Sequence, residues 1–217
     1  MTDWLIAPAP APSLPIEGDN RRFAVRRIYC VGQNYAAHAR EMGADASKPD
    51  PFFFSKPADA VVVDGRDPSY PPATANLHYE VELVVALGEG GKPVGWGVGV
   101  DLTRRDVQSA AKAAGRPWDA AKGFDQSAPC GALSLTPPAA DATIRLSVNG
   151  EVRQSGRLDD MIWDVEGVLG KANGLWKLAA GDLVFTGTPE GVGPLQIGDA
   201  VEAVIEGLPP LRFVVQP

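Results

Sequence analysis

The stretch His78-Tyr79-Glu80-Val81-Glu82-Leu83-Val84-Val85-Ala86-Leu87 is where a reading of this chain begins. Its β-branched and aromatic residues, closed by Gly88, predict a strand. Residues two apart in a strand point to the same side, about 7 Å apart along the chain. Glu80 and Glu82 therefore share one face, with Tyr79, Val81 and Leu83 on the other. Two carboxylates side by side on a strand this apolar repel each other and lose hydration, which is costly unless a cation sits between them. A hard divalent ion bound through oxygen is the natural partner. Asp101, a third candidate ligand, ends the next strand-like run, Trp96 to Val100. An exposed strand face carrying two glutamates is the plain alternative. Asp101 and the basic residues after it weigh against that alternative.

Composition narrows the class. A chain of 217 residues can bury one sizeable core. Its 45% hydrophobic and 22% charged residues are ordinary for a globular protein, and 24 glycines with 20 prolines fit many short strands joined by turns. A net charge of -7 argues against a nucleic-acid binder. No apolar run is long enough to span a bilayer, and the proline-rich start lacks the features of a signal peptide. The expectation is a cytoplasmic protein whose Cys30 and Cys130 are free thiols.

Outward from the central stretch, strands are expected at 26–32, 52–55, 60–63, 143–149, 151–156, 182–186, 200–205 and 211–215. Asn149-Gly150 is the strongest hairpin signal. Asn34 is read as the cap of a short helix from Tyr35 to Met42, and Ala44 to Pro51 as a mobile loop. A second helix opens at Leu102, with Thr103 and Asp106 spaced like a capping box, and ends near Gly115. Apolar spacing predicts a third helix over 158–172. There is no internal repeat. Residues 1–21 are taken as an N-terminal arm ahead of one catalytic domain, 22–217.

Three constellations bear on chemistry. His38 and Glu41, three apart, share a helix face. A carboxylate on one imidazole nitrogen fixes the tautomer and raises basicity, so the pair is suited to deprotonating water, although a surface ion pair has the same spacing. Lys56, Arg104, Arg105, Arg116 and Lys122 form a basic set that can bind a carboxylate or steady an enolate; as solvated surface charges they would do neither. The run Thr186 to Gly193 (TGTPEGVG) offers hydroxyls and backbone amides to an anion, but it lacks the lysine of a P-loop. His78 is assigned a neighbouring, structural role, because Glu80, Glu82 and Asp101 already make an all-oxygen set suited to Mg²⁺ or Mn²⁺.

Together these segments resemble the fumarylacetoacetate hydrolase family. The resemblance is carried by Tyr29 to Gly43 (YCVGQNYAAHAREMG), His78 to Leu83 (HYEVEL), Val100 to Gln108 (VDLTRRDVQ), Ala121 to Ser127 (AKGFDQS), Val148 to Arg153 (VNGEVR) and Phe185 to Gly193 (FTGTPEGVG), in order over roughly residues 22–215. Arg116-Pro117-Trp118 and Pro51 to Ala60 point to the branch that cleaves acylpyruvates. The resemblance implies a β-rich mixed α+β fold, a rolled mixed β-sheet of sandwich or barrel type with a few short helices. It also implies a homodimer with one divalent ion per subunit, Mg²⁺ or Mn²⁺. Glu80, Glu82 and Asp101 would be the metal ligands, His38 with Glu41 a water-activating dyad on a lid, and Lys122 the residue that polarises the carbonyl. Arg105, Gln108 and Thr188 would hold the substrate. Two departures stand out: Gln33 replaces a common arginine, and Gly88 to Gly95 is about a dozen residues shorter than usual.

The implied activity is hydrolysis of a carbon–carbon bond in a 2,4-dioxo acid, most directly fumarylpyruvate to fumarate and pyruvate in gentisate-type degradation of aromatic compounds. Decarboxylation of oxaloacetate and broader acylpyruvase activity are the alternatives among enzymes. An inactive dimeric metal-binding protein is the alternative outside them.

Overall fold

The structure is a computed structural model that describes residues 3–7, 9–41, 50–63 and 65–217. It is a strand-rich α+β fold in which two sheets pack face to face. The larger has five strands in the order Phe52–Lys56, Arg27–Gly32, Asp182–Phe185, Val81–Leu87 and Pro93–Val100. Asp182–Phe185 runs parallel to Arg27–Gly32, and the other pairings are antiparallel, which makes the sheet mixed. The smaller sheet, Glu151–Arg157, Thr143–Val148, Ala200–Ile205 and Leu211–Val214, is antiparallel throughout.

Every residue of Val81–Leu87 is buried, because both faces of its sheet are covered. Val81, Leu83, Val85 and Leu87 pack with Ile144, Leu146, Ala203 and Ile205 of the smaller sheet. Val84 and Ala86 point the other way, to Leu14, Ile28, Cys30 and Phe185. Burial of each large aliphatic side chain here contributes about 1.5–3 kcal/mol. The alternation read from the sequence holds: Tyr79, Val81 and Leu83 share one cluster, and the glutamates face away from it.

One expected strand is two. The chain leaves a three-stranded sheet after Leu77–Tyr79, passes Glu80, and enters the five-stranded sheet at Val81. Two long-range contacts repair the break. The Glu80 carbonyl accepts from Asp101 N–H at 2.8 Å, and Val81 N–H donates to Gln154 Oε1 at 3.0 Å. Val81–Leu87 then returns through a tight turn, Glu89–Gly91, into Pro93–Val100. This turn lies within the stretch Gly88 to Gly95 singled out in the sequence.

The helices are α1 (Ala36–Glu41), α2 (Arg105–Ala113), α3 (Asp119–Lys122) and α4 (Val165–Leu175). Two expected caps are overturned. Asn34 does not cap α1: its amide donates to the carbonyls of Trp163 and Thr186 at 2.8 Å each, and its oxygen accepts from Trp163 N–H, joining three segments. Thr103 and Asp106 do not form a capping box at α2. The Asp106 carboxylate takes Thr74 Oγ1–H and Ala75 N–H instead, and Thr103 turns toward a buried lysine. The third helix starts later than expected, with Asp164 accepting from Gly167 N–H as its cap. The Asn149-Gly150 hairpin is present, both residues having positive φ. Residues 13–24, expected to lie in the arm and at the domain edge, form a hairpin whose Leu14 is fully buried.

Cys30 and Cys130 are buried free thiols. Among the described residues no helix is long and apolar enough to cross a membrane. The loop expected at Ala44 to Pro51 lies outside the described residues except for Asp50 and Pro51.

Candidate active site

Antiparallel register builds the acidic cluster. Val81 pairs with Val100 and Glu82 with Gly99, so Asp101, one residue beyond, falls opposite Glu80. Glu80, Glu82 and Asp101 each present a carboxylate oxygen within 4.8 Å of the others. All three are buried, at 5%, 1% and 0% exposure, too little for water to dissipate their charge.

Three buried cations meet them. Lys122, the last residue of α3, places Nζ 2.8 Å from Glu80 Oε2, 2.7 Å from Asp101 Oδ2 and 2.6 Å from Thr103 Oγ1. Arg105, the first residue of α2, contacts Glu80 Oε1 at 2.5 Å and Gln108 Oε1 at 2.5 Å. Lys56 Nζ stands 2.8 Å from Asp101 Oδ1 and donates to the carbonyls of Leu102 and Lys122. The Lys56–Asp101 approach is an ion pair without hydrogen-bond alignment, and Asp101 Oδ1 accepts no hydrogen bond.

The carboxylates are held unequally. Burial works against the charge on Glu80, but Lys122 and Arg105 outweigh it and keep its carboxyl below the ordinary range. Burial, with Asp101 and Glu80 beside it, pushes the Glu82 carboxyl well above the ordinary range. Its hydrogen bond from Gly187 N–H, at 2.7 Å, does not reverse this. Burial also opposes the charge on Lys122, yet Asp101 and Glu80 raise its pKa overall. Three converging hard oxygen donors, one of them with an oxygen that accepts no hydrogen bond, suit a divalent ion of the Mg²⁺ or Mn²⁺ kind.

Above Glu80 lies a cavity lined by His38, Arg105, Gln108, Lys122 and Thr188, with Phe52, Phe54 and Trp118 as an aromatic wall. His38 Nδ1 lies 3.2 Å from Glu41 Oε2. The carboxylate can only accept, so this contact places the proton on Nδ1 and leaves Nε2, without a hydrogen-bond partner among the described residues, to act as a base. Glu41 is fixed in turn by Gly191 N–H, 3.3 Å from both of its oxygens.

The Thr186–Gly193 loop does hold anionic groups, and they are the chain's own: Gly187 grips Glu82 and Gly191 grips Glu41. Gly187 has φ +97°, and a Cβ there would stand 2.7 Å from that of Asn34, so glycine is required.

His78 stays out of the cluster, as expected. Burial, aided by Arg105, lowers its pKa to about 4, and its neutral ring accepts from Arg105 Nε at 3.3 Å while Nε2 faces Asn76 Oδ1 at 3.0 Å. Gln33, at φ +57°, lines the cavity. Two basic candidates lie elsewhere: Arg104 stacks on Phe124 and donates to the Ala120 carbonyl, and Arg116 is exposed.

Two residues of the site carry roles the sequence did not reveal. Gln154 is fully buried and donates to Thr188 Oγ1 and the Pro189 carbonyl at 2.8 Å each, while accepting from Val81 N–H. Its position three residues past the Glu151 end of a hairpin strand was the available signal. Lys56 stood among the basic candidates without an assignment, and only its place beside Phe52, Phe53 and Phe54 hinted at burial.

Comparison with known proteins identifies the family. Residues 27–216 match the fumarylacetoacetate (FAA) hydrolase C-terminal family. A crystal structure of fumarylpyruvate hydrolase from Pseudomonas aeruginosa in complex with Mn²⁺ and pyruvate superposes with a TM-score of 0.95, at 45% identity over 99% of both chains. Oxaloacetate tautomerase YcgM of Escherichia coli is 41% identical over 85% of this chain and 90% of its own. Fumarylpyruvate hydrolase of a Ralstonia species is 36% identical over 80% and 96%. With nearly its whole length matched and the acidic cluster in place, this chain belongs to the fumarylacetoacetate hydrolase family.

Proposed function

We propose that this protein is a divalent-metal-dependent hydrolase that cleaves the carbon–carbon bond of a 2,4-dioxo acid, with fumarylpyruvate as the best substrate. The observation that carries the reading is the junction of two devices in one cavity. A buried carboxylate triad braced by Lys122 and Arg105 lies beside a histidine whose free nitrogen can take a proton from water. The likeness to fumarylpyruvate hydrolases supports it.

Glu80, Glu82 and Asp101 would hold the ion, which supplies Lewis-acid binding of the pyruvoyl carboxylate and keto oxygens. His38 Nε2 takes a proton from water while Glu41 steadies the resulting imidazolium. The hydroxide adds to C4, and the C3–C4 bond breaks with its electron pair going to C3. The positive charges of Lys122 and Arg105 stabilise the pyruvate enolate. The proton held on His38 then returns to C3, giving pyruvate and the carboxylic acid. Thr188, positioned by Gln154, and Gln108, held by Arg105, offer hydrogen bonds to the substrate. A homodimer in the cytoplasm, serving gentisate-type breakdown of aromatic compounds, completes the proposal.

A second reading, acting on oxaloacetate, is favoured by the 41% identity with YcgM. Keto–enol exchange moves a proton and decarboxylation releases an enolate, but neither needs attacking water. The test is turnover of fumarylpyruvate with Mg²⁺ or Mn²⁺, followed by loss of enol absorbance, in the unmodified protein and in His38→Ala. General-base catalysis is worth about 10²–10⁴-fold, and the substitution should cost hydrolysis that factor and oxaloacetate decarboxylation far less. No turnover of any 2,4-dioxo acid by the unmodified protein would overturn the proposal.

A further inference from the structure

The cavity continues past the reacting centre along α2. Arg105, Gln108 and Lys112 sit at i, i+3 and i+7, one face of the helix, and all three line it. Arg105 is buried at the inner end against Glu80, whereas Lys112 is exposed at the mouth. Seven residues of α-helix separate them by about 10–11 Å. Phe52, Phe54 and Trp118 line the same cavity, with Phe52 and Trp118 edge to face at 5.1 Å. Among the described residues no carboxylate pairs with Lys112.

The cavity thus has a cation at each end and an apolar aromatic side, an arrangement that suits an unsaturated chain with a carboxylate at both termini. A seven-carbon 2,4-dioxo dicarboxylate spans six bonds of about 1.5 Å, roughly 7–8 Å end to end when zigzagged. The exposed Lys112 side chain, on its four-carbon stem, covers the remainder. Four-carbon oxaloacetate spans about 4 Å by the same count and does not reach. We infer that Lys112 is a specificity residue that selects acyl groups ending in a carboxylate, distant from the bond that breaks. The inference rests on the reading of this site as an acylpyruvate hydrolase.

The test compares two 2-oxo acids of equal length that lack the cleavable 4-oxo group, 2-oxoheptanedioate and 2-oxoheptanoate. Their binding to the Mn²⁺-loaded protein is measured by calorimetry. The unmodified protein should prefer the dicarboxylate by about two- to fivefold, the size of an exposed ion pair. Lys112→Ala should bring that ratio to about one, Lys112→Glu should invert it, and Lys112→Arg should keep it. The ratio of kcat/KM for fumarylpyruvate over acetylpyruvate should move in parallel. Lys112 is exposed at a helix end, so these variants should fold. An unchanged ratio in Lys112→Glu overturns the specificity role while leaving the hydrolase reading intact. Failure of the unmodified protein to bind either acid overturns both.

Discussion

Lys122 offers the sharpest test of how the acidic cluster is held together. Replacing it with methionine keeps a similar length of apolar stem and removes one buried positive charge. In the metal-free protein Glu80 would retain Arg105 at 2.5 Å and Asp101 would retain Lys56 at 2.8 Å. Thr103 Oγ1 would keep its bond to the Asp101 carbonyl at 3.2 Å. Breaking a buried pair costs about 3–5 kcal/mol, and the surviving partners place this substitution near the lower end, about 3 kcal/mol. For a chain of this size that is a fall of about 6–12 °C in melting temperature. Because the folded pKa of Lys122 is raised, its contribution is complete below the unfolded value of 10.5 and is lost only as pH climbs through the folded one. The assay is thermal unfolding at neutral pH in EDTA and again with Mn²⁺. The ion should recover a large part of the loss, since it supplies the charge the carboxylates lack. A Lys122→Met protein that melts within a degree of the unmodified one in EDTA would refute this account of the cluster.

Other outcomes follow from the same geometry. Glu82→Ala and Asp101→Ala should each abolish activity and weaken Mn²⁺ binding, and unchanged affinity by calorimetry in Glu82→Ala would remove Glu82 from the ligand set. Because the Glu82 carboxyl titrates well above the usual range, binding the ion should release its proton. Apparent affinity should then rise by up to about tenfold per pH unit until Glu82 ionises by itself, measured as proton release in buffers of different ionisation enthalpy. In EDTA the same group makes stability fall as pH rises from its unfolded value of 4.5 through its folded one, because the folded state binds the extra proton. Glu41→Gln should slow hydrolysis less than His38→Ala, and equal losses in steady-state rates would argue against an orienting role. Gly187→Ala should destabilise the fold by about 1–3 kcal/mol in urea titration, since its positive φ and the approach to Asn34 leave no room for a methyl group.

The acidic cluster was legible because it depends on two short-range rules. Period-two alternation puts Glu80 and Glu82 on one side, and a strand-end residue after a tight turn returns opposite its start. The dyad was legible for the same reason, being set by helix spacing alone. The sheet change at Glu80 was not, because nothing in an unbroken run of strand-forming residues marks where the chain switches partners. Nor were the roles of Asn34, Lys56 and Gln154. Each is fixed by partners far along the chain, such as Val81, 73 residues from Gln154, and spacing carries no information about those contacts. The failed capping box shows the converse. Thr103 and Asp106 have the right spacing, but Lys122 and Thr74 compete for them and the tertiary contacts win.

The passage of the chain from one sheet to another at Glu80 has a mechanical side. On one side of that residue lies the strand Leu77–Tyr79, on the other Val81–Leu87, and the Val81 amide is tethered to Gln154 on the smaller packed sheet. Three sheets therefore meet within two residues of the chain. An ion gripped by Glu80, Glu82 and Asp101 would act there as a rivet, resisting any sliding of one sheet past another. Loading the site should slow hydrogen exchange at Val81 more than at the hairpin Glu151–Arg157 edge, so the grip of the fold and the occupancy of the site become one observable.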